Sequence, residues 1–182
     1  MSLPFEFLDR RPIIIALAGS NGAGKSTFYE SFLANSGLRF INADVLAESL
    51  RVAPYEAAEL AATLRAALVT RRESFLFETV LSDPTGEKVK QLASYDKLGY
   101  TVVLIFIRID SAEESIKRVA MRVSQGGHDI PDDKLRTRFE RTRANLERAI
   151  ERLPHVLVYS NQDIANPYRL VEHYEHGRKL KG

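Results

Sequence analysis

Short runs of consecutive apolar residues alternate along the chain with longer stretches in which apolar residues recur at helical spacing. Continuous apolar runs of this kind are typical of strands that are buried on both faces of a parallel sheet. Strands dominated by apolar residues are predicted at residues 13–18, 38–41, 74–80, 101–109 and 155–159. Strands that alternate with helices predict an α/β fold with a mostly parallel sheet and helices on both of its faces.

Capping residues, proline and glycine mark where the predicted helices begin and end. Ser111 with Glu114 three residues later forms a capping box, and Pro84 suits a first helical turn. The helices are predicted at residues 25–37, 54–71, 83–99, 111–123 and 132–152. The tail after residue 159 is expected to be helical as well. Since the chain has no internal repeat and no low-complexity linker, residues 1–182 are expected to form a single domain.

Composition restricts the class of protein. The 182 residues are enough for one domain with a sizeable core, and 45% hydrophobic with 27% charged residues is ordinary for a globular chain. A net charge of +2 indicates neither nucleic acid nor a membrane as partner. The absence of cysteine excludes disulfides, thiolate metal sites and cysteine nucleophiles. No apolar run is long enough for a signal peptide or a membrane span, so we expect a cytoplasmic location.

The first predicted strand is followed by the sequence GSNGAGKST, which fits G-x-x-x-x-G-K-[ST] at every fixed position. Glycines let successive backbone N–H groups turn toward phosphate oxygens, and the following helix presents its positive end. We therefore predict a P-loop NTPase fold in which Lys25 reaches the terminal phosphates of ATP and the Ser26 hydroxyl ligates Mg²⁺. The predicted nucleotide-binding residues are Gly19, Ser20, Asn21, Gly22, Ala23, Gly24, Lys25, Ser26 and Thr27.

A P-loop does not define the reaction, and two classes compete. The segment Ser124-Gln125-Gly126-Gly127 is similar to the Ser-Gly-Gly signature of ABC-type ATPases. That class also requires an apolar strand ending in carboxylates after the signature, whereas residues 156–159 are followed by Ser-Asn-Gln. A small kinase is therefore favoured, with an ABC-like ATPase as the alternative.

A kinase needs a carboxylate that orients the acceptor hydroxyl and positive charge that stabilises the transferring phosphate. Asp44 follows the second predicted strand and Glu78 ends the third, so both are expected at the carboxyl edge of the sheet. The alternative interpretation of Asp44 is a helix N-cap. These two carboxylates are the candidates for binding the acceptor.

Arginines cluster on both sides of the segment at residues 124–131. Arg118 and Arg122 share a helix face, and the next helix carries Arg136, Arg138, Arg141 and Arg143. A glycine-containing loop between two such helices predicts a helical lid that closes over phosphates, with Arg118 and His128 among the acceptor contacts. The alternative is a solvated basic face.

Four motifs together resemble the zeta-toxin-like kinase family, which includes the toxins of epsilon/zeta toxin–antitoxin systems. They are the P-loop, I-N-A-D at residues 41–44, F-E-T at residues 77–79 and R-V-x-x-G-G-H-x-I-P at residues 122–131. The resemblance extends over residues 13–161. It implies ATP- or GTP-dependent phosphorylation of a nucleotide sugar at a sugar hydroxyl, with UDP-N-acetylglucosamine as the acceptor in the toxins. It also implies an antitoxin protein as partner.

The resemblance further implies a role for single residues. Asp44 would be the acceptor-orienting base, and Glu78 and Thr79 would contact the acceptor. Arg122 and a helix arginine, for which we choose Arg138, would stabilise the transferring phosphate. A polynucleotide 5′-hydroxyl would use the same P-loop and lid, but residues 136–152 contain one aromatic residue, so the sequence does not favour a nucleic-acid acceptor.

Overall fold

The fold is built on one twisted sheet. The computed structural model describes residues 3, 5–124 and 129–181. The sheet has the order β2-β3-β1-β4-β5-β6-β7, and the pairings among the first five strands are all parallel. Its strands are β1 (Ile13–Ala18), β2 (Arg39–Ile41), β3 (Phe75–Thr79), β4 (Thr101–Arg108), β5 (His155–Ser160), β6 (Arg169–Glu175) and β7 (Arg178–Lys181).

Helices connect the parallel strands, as the sequence predicts. They are α1 (Lys25–Phe28), α2 (Ala43–Leu50), α3 (Pro54–Thr70), α4 (Glu87–Lys97), α5 (Ala112–Val123) and α6 (Asp132–Arg152). A π-helical turn and a 3-10 turn continue α1 to residue 36. The Ser111 hydroxyl caps α5 by accepting from the Glu114 amide at 3.1 Å. No helix of the described chain combines the length and hydrophobicity that crossing a membrane requires.

The core lies on both faces of the sheet. All six residues of β1 are buried, and alternate residues belong to two separate apolar clusters. One face carries Phe28 and Leu33 from the segment that follows the P-loop. The opposite face is covered by apolar residues of α3, α4 and α6. Burial on both sides explains why the strands are continuous apolar runs, and it confirms the predicted α/β fold with a mostly parallel sheet.

The prediction of a helix in the tail is wrong, because residues 169–175 and 178–181 form the antiparallel strands β6 and β7. The free edge of β5 offers backbone groups that need partners, and β6 satisfies them. His176 and Gly177 join the two strands with φ angles of 46° and 77°, the conformation that a two-residue hairpin turn requires. Half-buried Val171 and Tyr174 of β6 pack on the core, so tertiary pairing decides the structure of this segment.

Candidate active site

The P-loop lies between β1 and α1 and has the backbone conformation that its glycines permit. Gly22 and Gly24 have φ angles of 73° and 91°, which side chains rarely tolerate. A Cβ atom added to Gly24 would lie 2.5 Å from Asn161 Nδ2, and one added to Gly22 would lie 2.9 Å from the Arg118 Cβ atom. The two glycines are therefore needed both for the turn and for close packing beneath it.

Three side chains from distant parts of the chain hold the loop from outside. The Ser115 hydroxyl donates to the Asn21 carbonyl at 2.7 Å, Asn161 Nδ2 donates to the Ala23 carbonyl at 2.8 Å, and the Tyr168 hydroxyl donates to the Gly24 carbonyl at 2.9 Å. We call Ser115, Asn161 and Tyr168 the P-loop clasp. In a trans peptide the carbonyl and the next N–H point in opposite directions. Anchoring the carbonyls outward therefore turns N–H groups toward the loop interior.

Removing one bond of the clasp should weaken nucleotide binding without unfolding the protein. Tyr168→Phe deletes the hydroxyl that binds the Gly24 carbonyl but keeps the ring, which packs against Phe28. We expect a roughly threefold to tenfold rise in the Kd for Mg²⁺-ATP, measured by titration calorimetry. The matched control is Tyr174→Phe. The hydroxyl that this variant removes donates to Glu172, a residue of the same strand as Tyr174, and does not contact the P-loop. Equal affinities for the two variants would contradict the role of the clasp.

Lys25 is folded back against the loop and is only 7% exposed. Its ammonium group donates to the carbonyls of Gly19 and Ser20, both at 3.1 Å, and lies 3.6 Å from Glu78 Oε1. Burial lowers the pKa of Lys25, while the negative charge of Glu78 acts in the opposite direction. The carboxylate of Glu78 thereby supports the charged lysine that binding to phosphate requires.

Glu78 connects three elements of the site. Its position in β3 pairs with Leu17 of β1, so it stands beside the start of the P-loop. Besides Lys25, its carboxylate accepts from Asn42 Nδ2 at 3.0 Å and from the Ser26 hydroxyl at 3.4 Å. The carboxylate beside Ser26 therefore comes from β3, and not from a strand after residues 124–127 as the ABC-like alternative requires.

The capping interpretation of Asp44 is wrong, because Asn42 caps α2. The Asn42 side-chain oxygen accepts from the amides of Asp44 at 2.8 Å and Val45 at 3.4 Å. The Asp44 side chain itself is exposed. Its negative charge counteracts the lowered pKa of Lys25, which places it within electrostatic reach of the ammonium group. Among the described residues its carboxylate has no hydrogen-bond or ion-pair partner, so it is available to bind a hydroxyl near the P-loop.

The lid arginines differ in their surroundings. Arg122 is exposed near the end of α5, and its charge contributes to the lowered pKa of Lys25. Arg138 is half-buried and precedes Thr142 by one turn of α6. Thr142 donates to the Val80 carbonyl just after β3 at 2.9 Å. Arg138 therefore lies on the helix face that packs against the end of β3, whereas Arg141 and Arg143 are exposed.

Two of the residues predicted to contact the acceptor, Arg118 and Thr79, form hydrogen bonds within the protein, and a third, His128, lies outside the described residues. Arg118 donates to Glu114 at 2.7 Å and to the Asn161 carbonyl at 2.9 Å, beneath the P-loop. Thr79 is buried, and its hydroxyl accepts from Lys88 at 3.0 Å and from the Leu81 amide at 3.1 Å. His128 is among residues 125–128, which the structure does not describe.

Sequence reasoning missed Asn42 and the P-loop clasp as parts of the site. Asn42 stands inside the I-N-A-D motif, so its position was a usable signal. A cleft of about 300 Å³ lies between the end of β4 and α6 and meets the predicted site at Ser20. Within the described chain no group of three or more His, Asp or Glu side chains is placed to hold a metal ion.

Comparison with known proteins identifies the family of the chain and its fold. The sequence matches the Zeta toxin family over residues 40–171, well over half of the chain. This match begins after the P-loop, which is established separately by its motif and backbone. An uncharacterized protein from Haemophilus influenzae is 28% identical over 130 residues, which cover 69% of this chain and 91% of that protein.

Solved structures share the fold. The AvrRxo1-ORF1:AvrRxo1-ORF2 complex has a TM-score of 0.74 at 18% identity and covers 95% of this chain, which spans only 61% of that one. A chain from the PezAT chromosomal toxin–antitoxin system of Streptococcus pneumoniae has a TM-score of 0.64 at 18% identity, covering 91% of this chain and 72% of that one. A gluconokinase from Sinorhizobium meliloti has a TM-score of 0.52 at 20% identity, covering 87% and 86%. Since these identities are low, the structures establish the P-loop NTPase fold alone. By the match over residues 40–171, the chain belongs to the zeta toxin family.

Proposed function

We propose that this protein is a small kinase that transfers the γ-phosphoryl group of Mg²⁺-ATP to a hydroxyl of a small-molecule acceptor. The observation that carries the proposal is the network around Glu78, which joins Lys25, Ser26 and Asn42 directly below the P-loop. Asp44 follows Asn42 by two residues and is exposed. A phosphate-binding lysine, a hydroxyl and a free carboxylate are the groups that phosphoryl transfer needs in one place.

The P-loop is suited to the β- and γ-phosphates. Its inward N–H groups and the N-terminal end of α1 offer partial positive charge. Lys25 would exchange its bonds to the Gly19 and Ser20 carbonyls for bonds to phosphate oxygens. The AvrRxo1-ORF1:-ORF2 complex, which has this fold, was solved with ATP, and this supports the choice of nucleotide. GTP is the alternative nucleotide.

Magnesium fits the same place. Ser26 is exposed, its hydroxyl stands at the start of α1, and Glu78 accepts from it, so the oxygen is oriented for a hard cation. Bound Mg²⁺ would neutralise charge on the phosphates during transfer. Glu78 would orient Ser26 and counterbalance Lys25, in addition to the acceptor contact that the family resemblance implies.

Asp44 would orient the acceptor hydroxyl, while Arg122 and Arg138 would stabilise the transferring group from the lid side. Thr79, Arg118 and His128 remain predictions as acceptor contacts. The proposed acceptor is a UDP-sugar such as UDP-N-acetylglucosamine, as the family implies. An antitoxin partner and a cytoplasmic location belong to the same proposal, and the toxin–antitoxin system of one structural relative supports the former.

The test is a transfer screen with γ-labelled ATP and Mg²⁺ against nucleotide sugars, simple metabolites and oligonucleotides with a free 5′-hydroxyl. We expect one class of small molecule to yield a labelled product and to raise ATP turnover. Labelled oligonucleotides would instead identify a polynucleotide kinase. ATP hydrolysis that is stimulated by a protein partner and gives no labelled product would favour the ABC-like alternative, and failure to bind ATP would refute both.

A further inference from the structure

Two cationic side chains meet at the carboxyl end of β3, on the face covered by α3 and α4. Arg65 of α3 lies with its guanidinium 4.9 Å from the centre of the Phe77 ring. Lys88 of α4 donates to the Thr79 hydroxyl at 3.0 Å. Both cations are half-buried. The two helices thus bring one positive charge to Phe77 and another to Thr79, which stand on the same face of β3 at its carboxyl end.

Neither cation has a balancing carboxylate. Within the described chain, no Asp or Glu oxygen lies within 4.0 Å of Arg65 or Lys88, although other partly buried cations, such as Lys25 and Arg118, have one. The polar contact of Lys88 is a neutral hydroxyl, and that of Arg65 is an aromatic face. These contacts hold the side chains in place, and neither of them supplies a negative charge.

The arrangement is electrostatically costly for the protein alone. Burial lowers the pKa of Lys88, and the nearby positive charge of Arg65 lowers it further, while Asp83 acts weakly in the opposite direction. Burial also lowers the pKa of Arg65. Like charges withdrawn from water without a counterion are unfavourable, and a bound anion would offset that cost.

We propose that Arg65 and Lys88 form an anion subsite of the acceptor pocket, so that the acceptor carries a phosphate or carboxylate group besides the hydroxyl that is phosphorylated. A guanidinium fork and an ammonium group together match the oxygens of either group. This inference rests on the proposed kinase function, because it places the anion on the acceptor.

The position of the subsite supports this assignment. Thr79, which binds Lys88, directly follows Glu78, which binds Lys25 and Ser26. Thr79 also pairs with Ala18, the last residue before the P-loop. Neighbouring residues of a strand point to opposite faces of the sheet, so the side chains of Glu78 and Thr79 lie on different faces but at the same carboxyl edge. An acceptor that crosses this edge can reach both groups.

The experiment separates anion binding from transfer. The full chain is first loaded with Mg²⁺ and a non-hydrolysable ATP analogue, so that the P-loop is filled and cannot bind the probe. UDP-N-acetylglucosamine, gluconate and inorganic phosphate are then titrated by calorimetry, with N-acetylglucosamine as the neutral probe. The variants are Lys88→Gln and Arg65→Gln, with Lys88→Arg as the charge-preserving rescue. Lys90→Gln is the matched control, since Lys90 is an exposed lysine of the same helix that pairs with Glu87.

We expect at least one anionic probe to bind the wild type and to bind each Gln variant roughly tenfold or more weakly, as the loss of a charge-assisted bond predicts. Lys88→Arg should recover most of the affinity, and Lys90→Gln should match the wild type. Melting curves show whether each variant is folded. A preference for phosphate or for carboxylate among the probes identifies the anion.

Three results would overturn the subsite. The first is that no anionic probe binds the loaded wild type. The second is that the folded Gln variants bind the anions as the wild type does. The third is that a neutral acceptor is phosphorylated with equal kcat/KM by the wild type and Lys88→Gln. Failure of the kinase proposal has a different signature, namely intact, Lys88-dependent anion binding with no labelled product from any acceptor.

Discussion

Lys25→Met is expected to reduce phosphoryl transfer roughly a hundredfold to a thousandfold, the usual effect of removing one preorganised group that stabilises transition-state charge. Methionine keeps much of the length of the side chain but removes the ammonium that donates to the Gly19 and Ser20 carbonyls. The measurement is kcat/KM for the acceptor found in the transfer screen. The Kd for Mg²⁺-ATP should rise as well, because the same charge binds the ground-state phosphates.

This variant needs a stability control, since Glu78 is only 14% exposed and would lose its cationic partner. Ser26 and Asn42 would still donate to its carboxylate. The double variant Lys25→Met/Glu78→Gln removes the unpaired charge, so any loss of stability in the single variant should be recovered while transfer stays low. Wild-type transfer by a folded Lys25→Met protein would show that the P-loop lysine has no catalytic role.

Local patterns were sufficient for the part of the fold that surrounds the P-loop. The motif, the apolar run before it and the helix after it are contiguous in sequence. A P-loop is expected only where a strand precedes the motif and a helix follows it. The helix predicted at residues 132–152 has those bounds in the structure, because its apolar stripe and polar flanks persist over five turns. The strand predicted at residues 101–109 ends one residue earlier, at Arg108.

Contacts between distant residues could not be predicted. Asn161 and Tyr168 bind P-loop carbonyls that are 138 and 144 positions away in sequence. Nothing in their local sequence marks them as partners of a phosphate loop. The lack of an ion pair at Arg65 and Lys88 could not be predicted either, because each residue stands in an ordinary helical sequence. It depends on which carboxylates the fold places near the two cations.

Neighbouring residues of similar chemistry caused a different ambiguity. Asn and Asp cap helices about equally well, and the I-N-A-D motif holds both within three residues. The short helix α2 has no buried residue that would distinguish the two positions. The structure separates the two roles by giving the cap to Asn42 and leaving the Asp44 side chain exposed.

This separation makes Asp44→Asn a sharp test of catalysis. Asparagine cannot accept a proton or orient a hydroxyl with a full negative charge, so kcat should fall roughly 10²–10⁴-fold if Asp44 acts as a general base. A loss nearer tenfold would assign it to binding and positioning of the acceptor, since phosphoryl transfer has a loose transition state. Affinity for Mg²⁺-ATP should be preserved. Titration calorimetry and labelled-phosphate transfer measure the two quantities.

The controls follow from the geometry of α2. Asn42 keeps its bonds to the amides of residues 44 and 45, so Asp44→Asn should lose only the small favourable interaction of a carboxylate with the helix dipole, about 0.3–1 kcal/mol. Glu48→Gln removes an exposed carboxylate one turn later and should leave transfer unchanged. Asn42→Ala, in contrast, should lower the melting temperature through loss of the cap. Unchanged transfer by Asp44→Asn would remove Asp44 from the catalytic site. ATP hydrolysis that gives no labelled product and is unchanged in Asp44→Asn would instead favour the ABC-like ATPase, which has no need of this residue.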